Sequence, residues 1–366
     1  MVLEKLKQVK DPAYIKPDQL TAFVAALFKA TGMSDRDARG SAEVLVDADL
    51  TGIDTHGVSY NIAYHYIPGL TSGYINPKPD VRVVHETPST ATVDADRAVG
   101  MVAGLFAMNV AIEKAAKTGA ASVAVKNSSH CAHVGYYARM ALKRDMIGIA
   151  LSANGPRVMV PTHGKDPWMG TNPIAFAAPA GKEPPFVLDM ATTVVAAGKL
   201  AIARAFGVAA PVGWAQDENA APVTAMVQGT RVHGQPPLGG THEQGSHKGY
   251  GLGLMSDILC AVLPGEAVSG MLPQLPRGGR FCQYYQAIRI DAFRPASEFK
   301  ADMDEMLRAL RRQPSAPGEP PVIYPGIVEH EAYQKRLKSG IPVPKHAIDY
   351  FKSIAAELRV PYTLPG

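Results

Sequence analysis

Two histidines stand in settings that suit proton transfer. His56 lies in "DTHGV" and His130 in "NSSHCAH". Each follows a small hydroxyl-bearing residue, and each falls at a join between expected elements, where functional side chains concentrate. A hydroxyl beside an imidazole fixes its tautomer and orientation, as a general acid or base requires. The competing reading is a solvated or capping histidine, and two in one context leave both readings open. In the functional reading Thr55 sets the ring of His56, and Gly57 lets backbone and substrate approach closely. Neither histidine has an HExxH neighbour or an acid at ligand spacing, so no metal is expected.

Three further stretches bear on ligand binding. "GSHKG" places His247 and Lys248 at the start of an apolar helix, where free N–H groups, the helix dipole and a cation favour a phosphate or carboxylate. The following "GYGLGLMS" resembles a dinucleotide fingerprint only in part. Its last glycine is absent and "THEQGSHK" is no strand, so these glycines read as close-packing positions in a buried helix. "LDMATT" ends an apolar run on Asp189, either a cap for the next helix or an acid at the carboxyl edge of a sheet, where ligands bind. "MGTNPIAF" sets Thr171 before another strand and by itself reads as a turn.

The elements that position these residues are legible as periodicities. Helices are expected over 17–31, from an N-cap at Ser34 to about Leu50, and over 59–71, 99–118, 194–206, 248–263, 297–312, 328–338 and 345–358. The helix 297–312 carries an apolar face of Phe299, Met303, Met306, Leu307 and Leu310. Strands are expected as a pair within 80–96 and at 121–127, 147–154, 173–179, 185–191 and 284–293. Loops fill 207–246 and 264–280, and a linker with five prolines spans 313–326. With helices first and last and strands between, the order fits an α/β or α+β enzyme whose terminal helices pack together around a central sheet domain.

Composition narrows the class. The chain has 366 residues, 46% of them hydrophobic, and a formal charge of +4. That charge is mild and scattered, which argues against nucleic acid and is compatible with a small anionic partner. Three cysteines, Cys131, Cys260 and Cys282, with no C-x-x-C spacing argue against a disulfide framework or structural zinc. No run reaches the roughly 18–20 apolar residues of a membrane helix, and no signal peptide is visible. A reducing, cytoplasmic setting is expected.

Taken together, "THGV", "NSSHCAHVGYYARMA", "GTNPIAFAAP", "LDMATTVVAAGK", "GSHKGYGL" and the tail "PG…GIPVP" resemble the second, non-Rossmann type of malate/L-lactate dehydrogenase. Ureidoglycolate, sulfolactate and diketogulonate dehydrogenases and Δ1-piperideine-2-carboxylate reductases are its relatives. The blocks occur in the family's order over about residues 15–360. The resemblance implies a non-Rossmann nicotinamide-binding sheet domain, 76–294 with a helical subregion about 194–263. This domain is inserted between terminal segments, 1–75 and 295–366, that form one helical domain. It also implies a homodimer with NAD or NADP as cofactor. By the same resemblance His56 is the proton donor and acceptor, Thr55 supports it, and His130 is a second catalytic histidine that lies at the cofactor and in some members takes the proton-acceptor role. Cys131, Ala132, His133, Val134, Asp189, Met190, Ala191, His247 and Lys248 correspond to cofactor contacts, and Thr171 to a substrate contact.

This sequence departs from the pattern at four places. Tyr60 replaces the arginine that usually pairs with the substrate carboxylate, and a neutral phenol cannot supply that bidentate pair. Either another cation, Arg157, Lys126 or Lys248, holds the carboxylate, or the substrate differs. His133 stands where small apolar residues are usual. Leu200 occupies the position of a catalytic Asp in the imine reductases, which weakens that reading. "IVEHE" after the C-terminal "PG" replaces basic residues, which leans toward NAD. The reaction implied is hydride transfer between nicotinamide and a 2-hydroxy/2-oxo acid, with His56 near its ordinary pKa of about 6.5 serving both directions. The rivals are a reductase of cyclic or N-alkyl imino carboxylates, a histidine-based or metal-assisted hydrolase or lyase, and a cofactor-binding protein without catalysis.

Overall fold

The computed structural model describes residues 11–205, 207–227, 229–273 and 280–365. Residues 1–10, 206, 228, 274–279 and 366, which fall in the expected domain, helix and loop spans, lie outside the described residues.

Among the described residues seven strands form one sheet in the order β2-β3-β4-β8-β5-β6-β7. They are β2 (Arg82–Glu86), β3 (Thr90–Asp94), β4 (Ala120–Ser128), β5 (Met146–Asn154), β6 (Ile174–Ala178), β7 (Phe186–Met190) and β8 (Phe281–Arg289). Only β3 and β4 pair in parallel; every other pair is antiparallel. The central strands read as continuous apolar runs because both faces are covered. On β4, Ala121, Val123 and Val125 face the large core, while Ala124 faces a smaller cluster on the other side. On β8, Tyr285 and Ala287 face the first and Cys282 and Tyr284 the second.

The helices are α1 (Pro17–Ala30), α2 (Asp35–Leu50), α3 (Val58–Asn61, a π turn Ile62–Tyr66, then Ile67–Thr71), α4 (Gly100–Thr118), α5 (Gly135–Met140), α6 (Ala197–Ala205), α7 (Ser246–Asp257, continued as a π turn Ile258–Val262), α8 (Ala296–Arg311), α9 (Ile327–Ser339) and α10 (Lys345–Glu357). Ser34 caps α2 as expected, its hydroxyl accepting the Asp37 N–H at 3.2 Å. Helix α4 covers one face of β4 and β8, and the end of α7 covers the other.

The two ends of the chain meet. A short antiparallel pair joins β1 (Ala13–Ile15) to β9 (Ile341–Val343), with Ile15 opposite Ile341. Phe23 packs against Phe351 and Tyr362, ring centroids 5.8 and 5.6 Å away. Three-residue strands are too short to show a period, so neither was legible.

Two expectations need correction. The strand expected over 284–293 begins at Phe281 and ends at Arg289, where a 3₁₀ turn takes over. It starts early because Phe281 pairs with both Ser128 and Asn154 in the middle of the sheet. The expected face of α8 is narrower than its pattern. Leu307 is fully buried, but Met306 and Leu310 are exposed. The buried neighbour is Asp304, whose carboxylate accepts the backbone N–H groups of Gly181, Lys182 and Glu183.

Candidate active site

The site begins where α2 hands over to α3. His56 ends a 3₁₀ turn, Asp54–His56. Arg336 on α9 holds that turn, pairing with both carboxylate oxygens of Asp54 at 2.5 and 3.2 Å and donating to the carbonyl of Asp49. Behind the histidine, Gly57 makes room for the Asp49 carboxyl rather than for substrate. A Cβ at Gly57 would fall 1.7 Å from Asp49 Oδ1, and the Val58 N–H donates to Asp49 Oδ2 at 2.9 Å. Burial, with the Asp54 charge nearby, pushes the Asp49 carboxyl up to about 8. Helix α6 closes the other side. A Cβ at Gly198 would sit 2.9 Å from the Thr55 Cβ.

Thr55 Oγ1 lies 2.9 Å from His56 Nδ1, the contact the sequence suggested. The expected pKa does not hold. Desolvation pushes His56 down to about 4; the Asp189 charge opposes this and the nearby His133 adds to it. His56 is therefore neutral at neutral pH.

His130 faces it from the loop after β4. The two rings are nearly parallel, centroids 5.9 Å apart. His130 is fixed by Tyr66, whose hydroxyl lies 2.8 Å from Nδ1, and the Ala132 N–H donates to the same nitrogen at 3.4 Å. A backbone N–H can only donate, so Nδ1 is an acceptor and the proton of the neutral ring sits on Nε2. Burial, then the neighbouring His65 and His56, keep His130 well below the usual imidazole range. His65 stacks on His130 at 4.5 Å, and Phe281 meets His130 edge-on at 5.3 Å.

A second cluster adjoins the first. Asp189, at the end of β7, accepts the N–H of Gly135 at the start of α5 at 2.8 Å. His133 lies between Asp189 and Asp47 of α2, and Arg139 pairs with Asp47 from outside. His133, Gly135, Arg139 and Asp189 line one wall of a cavity of about 590 Å³; Tyr324, Pro325, Gly326, Glu329 and Tyr333 belong to its other side.

Cys131, Ala132, His133 and Val134 are buried, and burial pushes the Cys131 thiol up to about 12. Met190 and Ala191 are half-buried where β7 ends. The Thr171 carbonyl accepts the N–H of Thr192, and its neighbour Asn172 donates to Asp257, whose burial raises that carboxyl to about 6. Tyr60 stands one turn beyond His56 and stacks on Tyr64, centroids 5.3 Å apart. His247 and Lys248 sit exposed on the first turn of α7, and the ring of His247 lies 6.1 Å from His242. Thus His56, Thr55, His130, His133 and Asp189 come together around one region. No hydrogen bond or ion pair among the described residues joins His247 or Lys248 to them. Among the described residues no group of three or more His, Cys, Asp or Glu is placed to hold a metal, and no helix is long and apolar enough to cross a membrane.

Sequence reading missed Asp47, Asp49, Asp54, Tyr66, His65, Gly198 and Arg336. Arg336 is separated from Asp54 by most of the chain, and nothing in either local pattern signals the pair.

Comparison with known proteins gives the family of the chain. Residues 15–352 match the family described as malate/L-lactate dehydrogenase. A malate dehydrogenase of Pyrococcus abyssi is 40% identical over 94% of this chain and 95% of its own length. An NAD(+) ureidoglycolate dehydrogenase of Escherichia coli is 34% identical over 88% of this chain and 90% of its own. The solved malate dehydrogenase of Pyrococcus horikoshii superposes with a TM-score of 0.87 at 34% identity, covering 97% of this chain and 99% of that one. The chain belongs to the malate/L-lactate dehydrogenase family and is an oxidoreductase of hydroxy acids.

Proposed function

We propose that His56 is the proton acceptor and donor for reversible oxidation of a small 2-hydroxy acid, and that the adjoining cavity binds the nicotinamide cofactor. The observation that carries this reading is the asymmetry of the two histidines. Nδ1 of His130 is occupied by two donors, so His130 presents an N–H and has no lone pair to offer. His56 is neutral and among the described residues its ring nitrogens hydrogen-bond to the Thr55 hydroxyl alone, which leaves Nε2 open to take a proton when Nδ1–H donates to Thr55 Oγ1.

The residues present fit the cofactor. The cavity has apolar walls at Pro185, Val187, Tyr324, Pro325 and Tyr333, suited to a flat base, with the carboxylates of Asp189 and Glu329 available to ribose hydroxyls. Those two acids disfavour a 2′-phosphate, and Arg139 on the same wall is committed to Asp47, which supports NAD over NADP. The cofactor supplies or accepts the hydride. The chain's own residues do the rest. In oxidation His56 takes the hydroxyl proton at Nε2. His130 Nε2–H donates to a substrate oxygen. The protein shields both from water through the packing of α3 and α6. In reduction His56 must first be charged. A bound substrate carboxylate stabilises that imidazolium and raises its pKa toward neutrality.

Tyr60 cannot hold that carboxylate by charge. We favour Arg157 for it, because Arg157 lies three residues beyond Asn154, whose register partner Phe281 packs against His130. Thr171 is retained as a substrate contact, and Met190, Ala191, His247 and Lys248 as cofactor contacts, on the family resemblance. The terminal pairing of β1 with β9 and of Phe23 with Phe351 supports a helical domain from the two ends, with the sheet domain inserted between them. Three buried, unpaired cysteines support a reducing, cytoplasmic setting. Leu200 is buried among Val195 and Ala203 and can move no proton, which disfavours imine reduction.

The test is a panel of 2-oxo acids, with and without methylamine, followed at the absorbance of NADH and NADPH. Turnover of a simple 2-oxo acid with NADH supports the reading. Turnover only in the presence of amine would replace it with imine reduction, and preference for NADPH would overturn the cofactor assignment.

A further inference from the structure

His133 is almost fully buried, yet both its ring nitrogens face carboxylates. Nε2 lies 3.1 Å from Asp47 Oδ2, and Nδ1 lies 3.7 Å from Asp189 Oδ2. Neither nitrogen makes a hydrogen bond of ordinary geometry among the described residues, so the contacts are those of charges. A neutral imidazole has one N–H and one lone pair. Either tautomer would set that lone pair against an oxygen that can only accept. Only the imidazolium, with an N–H at each end, suits two carboxylates at once, and a buried cation requires such partners.

The surroundings balance. Arg139 neutralises Asp47 from outside, so Arg139, Asp47, His133 and Asp189 form a chain of alternating charge with no net charge. The other groups facing His133 are the Tyr136 ring of α5 at 6.2 Å, Asp49 of α2 and His56. Glu329 and His330 of α9 line the same cavity. Burial works to discharge His133, but the carboxylates of Asp189 and Asp47 outweigh it and hold its pKa above the usual imidazole value; Asp47 in turn is held low, since its partners outweigh burial.

We propose that His133 is a positioning residue: its protonated ring ties the Asp189 carboxylate to helix α2 and cancels its charge, so that Asp189 can receive an anionic nicotinamide dinucleotide. This rests on the cofactor reading of the adjoining cavity. Loss of the proton leaves two buried carboxylates without their bridge, beside a ligand that carries a pyrophosphate. A group whose pKa is raised acts below that pKa and is lost as pH rises through it. Cofactor affinity should therefore be strongest below that raised pKa and fall as pH rises through it.

The experiment titrates NADH onto wild-type protein, His133→Gln and His133→Ala by nicotinamide fluorescence from pH 6 to 10, with thermal melts alongside. Wild-type affinity should fall about tenfold or more on the alkaline side. The variants should bind about tenfold more weakly at pH 6–7 and show no such fall, while kcat at saturating cofactor changes far less than KM. A folded His133→Gln that keeps wild-type affinity and its pH dependence overturns the proposal. Should both variants fail to fold, ¹⁵N NMR of wild-type histidines decides. The expected result is a His133 ring charged at pH 7, whose titration moves to higher pH when NADH binds. A neutral ring, or a titration indifferent to NADH, overturns it. Wild-type protein that binds neither NADH nor NADPH defeats the dehydrogenase reading itself, which separates that failure from this one.

Discussion

His56 and His130 are chemically alike in sequence and differ in what holds them. Among the described residues the first has a single threonine hydroxyl at Nδ1, whereas the second is pinned by a tyrosine hydroxyl and a backbone N–H. General base catalysis contributes about 10²–10⁴-fold. His56→Ala should lose that much turnover while retaining NADH binding in a fluorescence titration; near-wild-type turnover would assign the base elsewhere. The pH profile is a separate test. Because burial depresses His56 to about 4, its basic form persists far into acid. The acid limb of kcat/KM for oxidation should therefore fall near pH 4, since that parameter reports the free enzyme. A limb near 6.5 would mean the ring is solvated before substrate arrives. Sequence reading found both histidines and Thr55 because adjacent residues carry their own signal. It did not find Tyr66 or His65, which meet His130 from a π turn in α3 that no local pattern announced. It also misread Gly57, since the carboxyl that fills the space comes from the preceding helix.

At the scale of elements, the catalytic turn is held by parts distant in sequence. Arg336 on α9 clamps Asp54, two residues before His56, and α6 rests on Thr55 through Gly198. Arg336→Gln removes the charge and the bidentate fork but keeps a polar side chain. A displacement of about 1 Å can cost about 10²-fold in rate, so kcat should drop by about that much. Cofactor affinity should change little, and circular dichroism should show helices intact. An unchanged kcat would show that the turn keeps its shape without the clamp. The long elements were legible because each carries its own period. The helices 100–118 and 345–357 and the strands 146–154 and 174–178 fall within a residue or two of expectation. Their pairing was not, because β8 inserts between β4 and β5 from far along the chain. The surface of α8 was misread for a related reason. A 3.6-residue pattern gives the direction of an apolar stripe but not how much protein covers it.

At the scale of the whole molecule, helix α7 carries an apolar row that the described residues of the single chain leave exposed. Along α7 and its π turn, Met255, Ile258 and Val262 recur at helical spacing and are 39%, 56% and 57% exposed, with Leu263 beside them at 61%. Gly251 continues the row one turn earlier, and a Cβ there would meet nothing within 4 Å. Burying such residues singly contributes little, but a contiguous apolar row at a helix surface is what an interface between subunits requires. We propose that in the homodimer implied by the family resemblance this row of α7 meets its counterpart on the second copy. Ile258 lies mid-row, and a glutamate there would bury an unpaired charge in the dimer while remaining solvated in the monomer. Ile258→Glu should therefore leave the melting temperature of the isolated subunit little changed but weaken self-association by about 30-fold, the equivalent of about 2 kcal/mol at an interface hot spot. Sedimentation at micromolar concentration should find the wild type at twice the 38.9 kDa chain mass and the variant shifted toward one chain. Because the other face of α7 covers β4 and β8, dissociation should loosen the sheet's cover and lower activity with dilution. A wild type that sediments as a single chain, or a variant that stays dimeric, would place the contact between subunits away from this helix.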